Sequence, residues 1–123
     1  MGLLVATLHA DELVIAKIDS NTVSERDRER IEGLLESLKG HETQINTMMR
    51  QMYRREDLRK RDQAFLPIIH EMVLATESLN VYLNNKDKKE LKQYFVHRDK
   101  FLALLENLKQ KYGYGQMGLG GRD

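Results

Sequence analysis

The sequence predicts an all-α fold, an antiparallel helical bundle in which short loops join neighbouring helices. Apolar residues recur at alternating steps of three and four through most of the chain, which is the spacing of one helix face. Glycine and proline total nine of 123 residues, too few for a turn-rich sandwich or barrel. Cysteine is absent, which excludes a disulfide framework, thiolate metal sites and cysteine nucleophiles.

The length of 123 residues corresponds to one domain. We predict a single helical-bundle domain over residues 1–112 and a flexible glycine-rich tail over residues 113–123. The tail has five glycines in eleven residues, so few apolar contacts can offset the entropy lost on ordering it. Its Gly-x-Gly-x-x-Gly pattern lacks the preceding strand and following helix that a dinucleotide site needs.

The first segment, residues 3–18, is apolar and leaves two structures open. A helix brings four large aliphatic side chains to one broad face: Leu4, Leu8, Ile15 and Ile18. A β-hairpin turning at residues 9–12 is favoured by the β-branched residues. Neither half alternates apolar with polar residues, however, and the turn lacks Gly and Asn. The pattern therefore favours the helix.

The second segment predicts one long helix over about residues 23–61. Thr22 with Glu25 has capping-box spacing, and Ser24 is a second candidate for the N-cap. The apolar positions form a narrow coiled-coil-like seam: Ile31, Leu34, Leu38, His41, Ile45, Met48 and Met52. Gly40 is a weak point, because glycine costs about 1 kcal/mol relative to alanine inside a helix. The seam keeps its phase across Gly40, which favours a continuous helix over a break there.

A C-terminal helical hairpin follows the long helix. Asp62 is a candidate N-cap, and Pro67 is compatible only with a position near the start of the third helix. The predicted seam of that helix is Phe65, Ile69, Met72, Thr76, Leu79 and Leu83. A turn at residues 84–86 precedes a second capping box, Asp87 with Glu90. The seam of the last helix is Leu91, Phe95, Arg98, Leu102, Leu105, Leu108 and Tyr112.

The seam of the long helix is longer than the two later helices can cover, so part of it is predicted to bind a partner. Methionine lines adaptable helix-binding surfaces, and three methionines lie close together near the end of this seam. The predicted partner-binding residues are Ile45, Met48, Met49, Met52 and Tyr53. They predict a small helical interaction protein (an adaptor, a secretion-type chaperone or an assembly subunit) that binds a partner helix or forms a homodimer.

The alternative function is association with nucleic acid or another polyanion. Residues 1–49 carry five basic and nine acidic side chains, whereas residues 50–123 carry fifteen basic and ten acidic ones. Six bases fall within twelve residues: Arg50, Arg54, Arg55, Arg59, Lys60 and Arg61. Such a cluster supplies phosphate contacts, but no nucleic-acid-reading motif accompanies it. A solvated face of a long helix has the same pattern.

No catalytic, metal or cofactor site is predicted. His41, His70 and His97 have no His, Asp or Glu three or four residues away, as helical metal ligands require. The Gly-x-Ser-x-Gly nucleophile motif is absent. We therefore expect no enzymatic activity and no small-molecule substrate. The most apolar run, residues 3–18, is shorter than the about 20 residues that span a membrane, and no signal peptide is indicated. These features predict a cytoplasmic protein.

Overall fold

The computed structural model describes the backbone of residues 2–51 and 56–112, and the side chains of these ranges except Met49, residues 56–62 and Tyr112. All regular elements in these ranges are helices: α1 (Gly2–Asp19), α2 (Glu25–Gln51), α3 (Glu56–Asn85) and α4 (Lys88–Tyr112). The predicted all-α fold is confirmed, and residues 3–18 are helical. The predicted tail, residues 113–123, lies outside the described residues.

Helices that follow one another in the chain run antiparallel. Pairs of side chains that bridge the helices record this direction: Lys17–Asp27 between α1 and α2 (2.9 Å), Lys39–Glu77 (3.2 Å) and Glu42–His70 (3.0 Å) between α2 and α3, and Glu71–His97 (2.7 Å) between α3 and α4. α3 packs against each of the other three helices. The arrangement is the predicted antiparallel helical bundle.

The predicted long helix over residues 23–61 is divided between two helices. α2 ends at Gln51, and residues 56–61 belong to α3, which runs back along α2. The apolar spacing predicted an apolar face on each of the two helices. It did not reveal that the chain reverses direction between them. Continuity through Gly40 is correct, since α2 passes through it unbroken.

The predicted start of the third helix near Asp62 is also wrong, and Pro67 lies well inside α3. A proline there has no N–H to donate to the carbonyl four residues earlier, that of Gln63. Gln63 and Pro67 are both exposed, so water can hydrogen-bond to that carbonyl. Solvent access explains why this helix tolerates an internal proline.

Side chains cap two helices at their N-termini. Ser24, not Thr22, caps α2: the Ser24 Oγ accepts from the Asp27 N–H (3.2 Å), and the Asp27 carboxylate accepts from the Ser24 N–H (2.9 Å). The hydrogen bond from Ser24 and the contact with Lys17 lower the pKa of Asp27 to about 2. Asp87 caps α4 as predicted, since its carboxylate accepts from the Lys89 N–H (2.9 Å).

Two clusters of buried side chains form the core, and every helix contributes to both. One cluster centres on Leu4, Leu38, Ile69, Met72, Phe101 and Leu105. The other centres on Val14, Ile31, Leu79, Leu83 and Tyr94. The predicted seam of α3 is buried from Ile69 to Leu83. In α4 the predicted Leu105 and Leu108 are buried, but Phe101 is buried where Leu102 was expected, and Tyr94 where Phe95 was expected.

Gly40→Ala is expected to raise the free energy of unfolding by up to about 1 kcal/mol, measured by urea denaturation. A Cβ added at Gly40 meets no atom within 4 Å, so alanine brings its higher helix propensity without a clash. Gly33→Ala is the matched control, because Gly33 also lies inside α2 with the same free space. A gain at Gly33 with a loss at Gly40 would contradict a continuous α2.

None of the described helices has the length and apolar character that crossing a membrane requires.

Candidate interaction surface

One end of the bundle extends beyond α1. Leu4, close to the start of α1, packs in one cluster with Leu38 and Ile69. From Leu38, α2 continues to Gln51, about 20 Å further along its axis. α1 begins at Gly2, only two residues before Leu4, so it has little length left to run beside the last turns of α2. We call this region the open end. It comprises residues 45–51 of α2, residues 63–67 of α3 and residues 104–111 of α4.

The predicted seam of α2 becomes progressively exposed towards the open end. Ile31 and Leu38 are fully buried, and Ile45 is half-buried against the core. Met48, one turn further on, is 49% exposed. The seam of α2 is therefore less covered near its C-terminal end. The predicted cause is wrong, because α3, with 30 residues, is longer than α2, with 27. Ile45 and Met48 are the predicted partner-binding residues whose side chains the structure describes.

The other predicted partner-binding residues are placed less completely. Met49 lies in α2, and its side chain is not described. Met52 and Tyr53 lie outside the described residues. Of the predicted partner-binding residues, Ile45 and Met48 are therefore the ones whose apolar side chains can be located at the open end.

The predicted polyanion-binding residues fall on both sides of the α2–α3 connection. Arg50 is exposed in the last turn of α2. Arg54 and Arg55 lie outside the described residues, and Arg59, Lys60 and Arg61 lie in α3 with side chains that are not described. Arg50 is therefore the described basic side chain of this cluster.

A second apolar feature of the open end lies between α3 and α4. A groove of about 250 Å³ is lined by Ala64, Pro67, Leu104, Asn107, Leu108 and Lys111. Sequence analysis missed this groove because it placed residues 56–61 in the preceding helix and Pro67 near a helix start. The signal available was the apolar pair Leu104 and Leu108, four residues apart on one face of α4.

Two of the histidines bind carboxylates on neighbouring helices. His70 pairs with Glu42 of α2, and His97 pairs with Glu71 of α3. Sequence spacing within a helix does not reveal these partners, because the pairs are 28 and 26 residues apart. Across the described part of the chain, no three His, Cys, Asp or Glu side chains are grouped as metal ligands.

A group of buried polar side chains lies in the core, where α1 packs against α3. Asp11 of α1 is fully buried, and its Oδ2 accepts a hydrogen bond of 2.7 Å from the Thr76 hydroxyl of α3. Its Oδ1 is buried without a hydrogen-bond partner, as is the hydroxyl of Tyr94 on α4. Burial raises the pKa of Asp11 and the Thr76 bond partly offsets this, so that the resulting pKa is about 7 instead of 3.8.

No family model matches this chain, and neither a curated protein nor a solved structure shows significant similarity to it.

Proposed function

We propose that this chain is a small helical interaction protein, an adaptor or assembly subunit, whose open end binds a helix. The helix comes from a second copy of the chain or from a partner protein. The observation that carries the proposal is the exposed seam position Met48, in line with the buried Ile31 and Leu38. Binding transfers this apolar side chain out of water and extends the core by another helix.

The distribution of charged residues along the chain also supports the proposed interaction function. The first 49 residues are net acidic, and the remainder is net basic. Opposite charges on two approaching molecules accelerate encounter and select an orientation, whereas apolar contacts supply most of the affinity. The basic cluster of residues 50–61 lies at the open end, so an acidic surface of a second molecule facing this end satisfies both requirements, whereas two open ends facing each other would repel. A homodimer is accordingly the first form to test.

Met48→Asp is expected to weaken self-association at least about tenfold, because it places a charge in the apolar contact. Sedimentation equilibrium gives the dissociation constant, and circular dichroism checks that the helices remain. Val96→Asp is the matched control. Val96 is 44% exposed on α4, close to the 49% of Met48, but lies away from the open end. Its effect is expected to stay within about twofold, as for ordinary surface changes.

Equal weakening by both substitutions would contradict an interface at the open end. The polyanion alternative predicts another result. The parent chain would bind duplex DNA at about 50 mM salt, where screening is weak, and Met48→Asp would leave that binding intact. Replacing Arg54, Arg55, Arg59 and Arg61 by Gln would then make the salt dependence shallower.

A further inference from the structure

α1 is the helix least embedded in the bundle. It packs against α2 and α3, and within the described residues no Cα of α1 comes within 8 Å of a Cα of α4. The other three helices form a continuous layer in which α3 packs against both α2 and α4. Movement of α1 away from this layer therefore leaves the contacts among α2, α3 and α4 in place.

The contact between α1 and that layer includes a carboxyl group in the core. Asp11 is 0% exposed and lies next to Ala10 and Val14, which pack in the second core cluster. One oxygen is bonded to Thr76, while the other has no partner. A buried carboxylate without an opposite charge is unfavourable, whereas a neutral carboxyl group is tolerated.

The charged and titratable groups around Asp11 do not compensate its negative charge. Glu12, on the same helix, adds a further negative charge. α3 contributes the neutral hydroxyl of Thr76. α4 contributes Tyr94, whose pKa burial raises above its ordinary value, and near Tyr94 lie Arg98 and Asp99 with opposite charges. No described residue of α2 forms an ion pair with Asp11.

We propose that α1 is a proton-dependent latch: it is closed on the bundle when Asp11 is protonated and is released when Asp11 loses its proton. Release exposes the buried faces of α2 and α3, with Ile31, Leu38 and Leu79 among their apolar residues. The latch is independent of the open end, which lies beyond the start of α1.

The direction of the pH dependence follows from linkage. In the closed form the pKa of Asp11 is raised to about 7, whereas in a released, solvated α1 it returns to 3.8. Between these values the closed form binds more protons than the released form. The population of the released form therefore rises as pH increases, by about tenfold per unit through most of this window, and levels off above about pH 7.

Amide hydrogen exchange on the full chain tests the latch. We expect the opening of α1, corrected for intrinsic exchange, to increase more than about tenfold from pH 5.5 to 7.5. The amides in the middle of α3 exchange only when the whole bundle unfolds, so their opening free energy is expected to stay above that of α1 at every pH, although it falls by a similar amount as pH rises. Asp11→Asn, a neutral side chain of the same shape, should remove the increase. Asp19→Asn is the matched control, because Asp19 is an exposed carboxylate on the same helix, and it should keep the increase.

Two results would overturn the latch. One is an increase of equal size in Asp11→Asn. The other is the same opening free energy for the amides of α1 and α3, which would mean that the whole bundle opens at once. The carboxyl ¹³C shift of Asp11 in the unsubstituted chain gives a second measurement that needs no variant. A titration midpoint near 7 supports the latch, and a midpoint near 4 contradicts it.

Discussion

Phe101→Ala is expected to lower the free energy of unfolding by about 3–5 kcal/mol, measured by urea denaturation. Phe101 is 1% exposed and packs in the core cluster that joins Leu4 of α1 to Leu38 of α2. Side chains from all four helices surround Phe101 in this cluster, including Ile69 and Met72 of α3. Alanine leaves a cavity that the surrounding helices can close only in part.

Leu102→Ala is the matched control for Phe101→Ala. Leu102 is the next residue of α4 and is 40% exposed, so its truncation is expected to cost less than about 1 kcal/mol. Similar costs for the two substitutions would contradict the orientation of α4. A larger cost at Leu102 would restore the helix face that the apolar spacing predicted.

Thr76→Val is expected to lower the free energy of unfolding by about 1–3 kcal/mol at pH 8, because it removes the hydrogen-bond donor to the buried Asp11 carboxylate. The cost is expected to be smaller at pH 5, where Asp11 is neutral. The Thr76 bond lowers the pKa of Asp11, so its loss extends the pH-dependent window upwards. Stability at constant temperature then continues to fall with rising pH above pH 7.

A double-mutant cycle separates this effect from a simple change of packing. In the Asp11→Asn background, Thr76→Val should lose its dependence on pH, because no carboxylate remains. Thermal or urea unfolding at pH 5 and pH 8 provides the four free energies. An identical cost of Thr76→Val at both pH values in the parent chain would show that its hydroxyl does not stabilise a charge on Asp11.

Much of the fold follows from apolar spacing and helix caps, and the failures have physical causes. The spacing predicted the buried positions of α3 from Ile69 to Leu83, because neighbouring helices cover that face there. It missed the boundary between α2 and α3, where both helices carry apolar residues in a compatible phase. Phe101 and Leu102 are adjacent and both apolar, so the sequence does not reveal which of them α3 covers.

The candidate surfaces could likewise be predicted only in part from the sequence. Met48 is exposed although α3, with 30 residues, is longer than α2, with 27, so the shorter later helices expected from the sequence are not the cause. The groove beside Leu104 and Leu108 depends on which turns of α3 and α4 lie side by side, and single-helix patterns do not contain that information. Asp11 lay in the middle of an apolar segment, and its contact with Thr76 connects residues 65 positions apart.

The mass of the unmodified chain in solution tests the proposed interaction function most directly. Light scattering across about 1 to 100 µM spans the affinities of many transient assemblies. Self-association through the open end predicts a concentration-dependent rise from the chain mass of 14.4 kDa towards twice that value. A mass of 14.4 kDa at every concentration, with the helices fully formed, would contradict self-association.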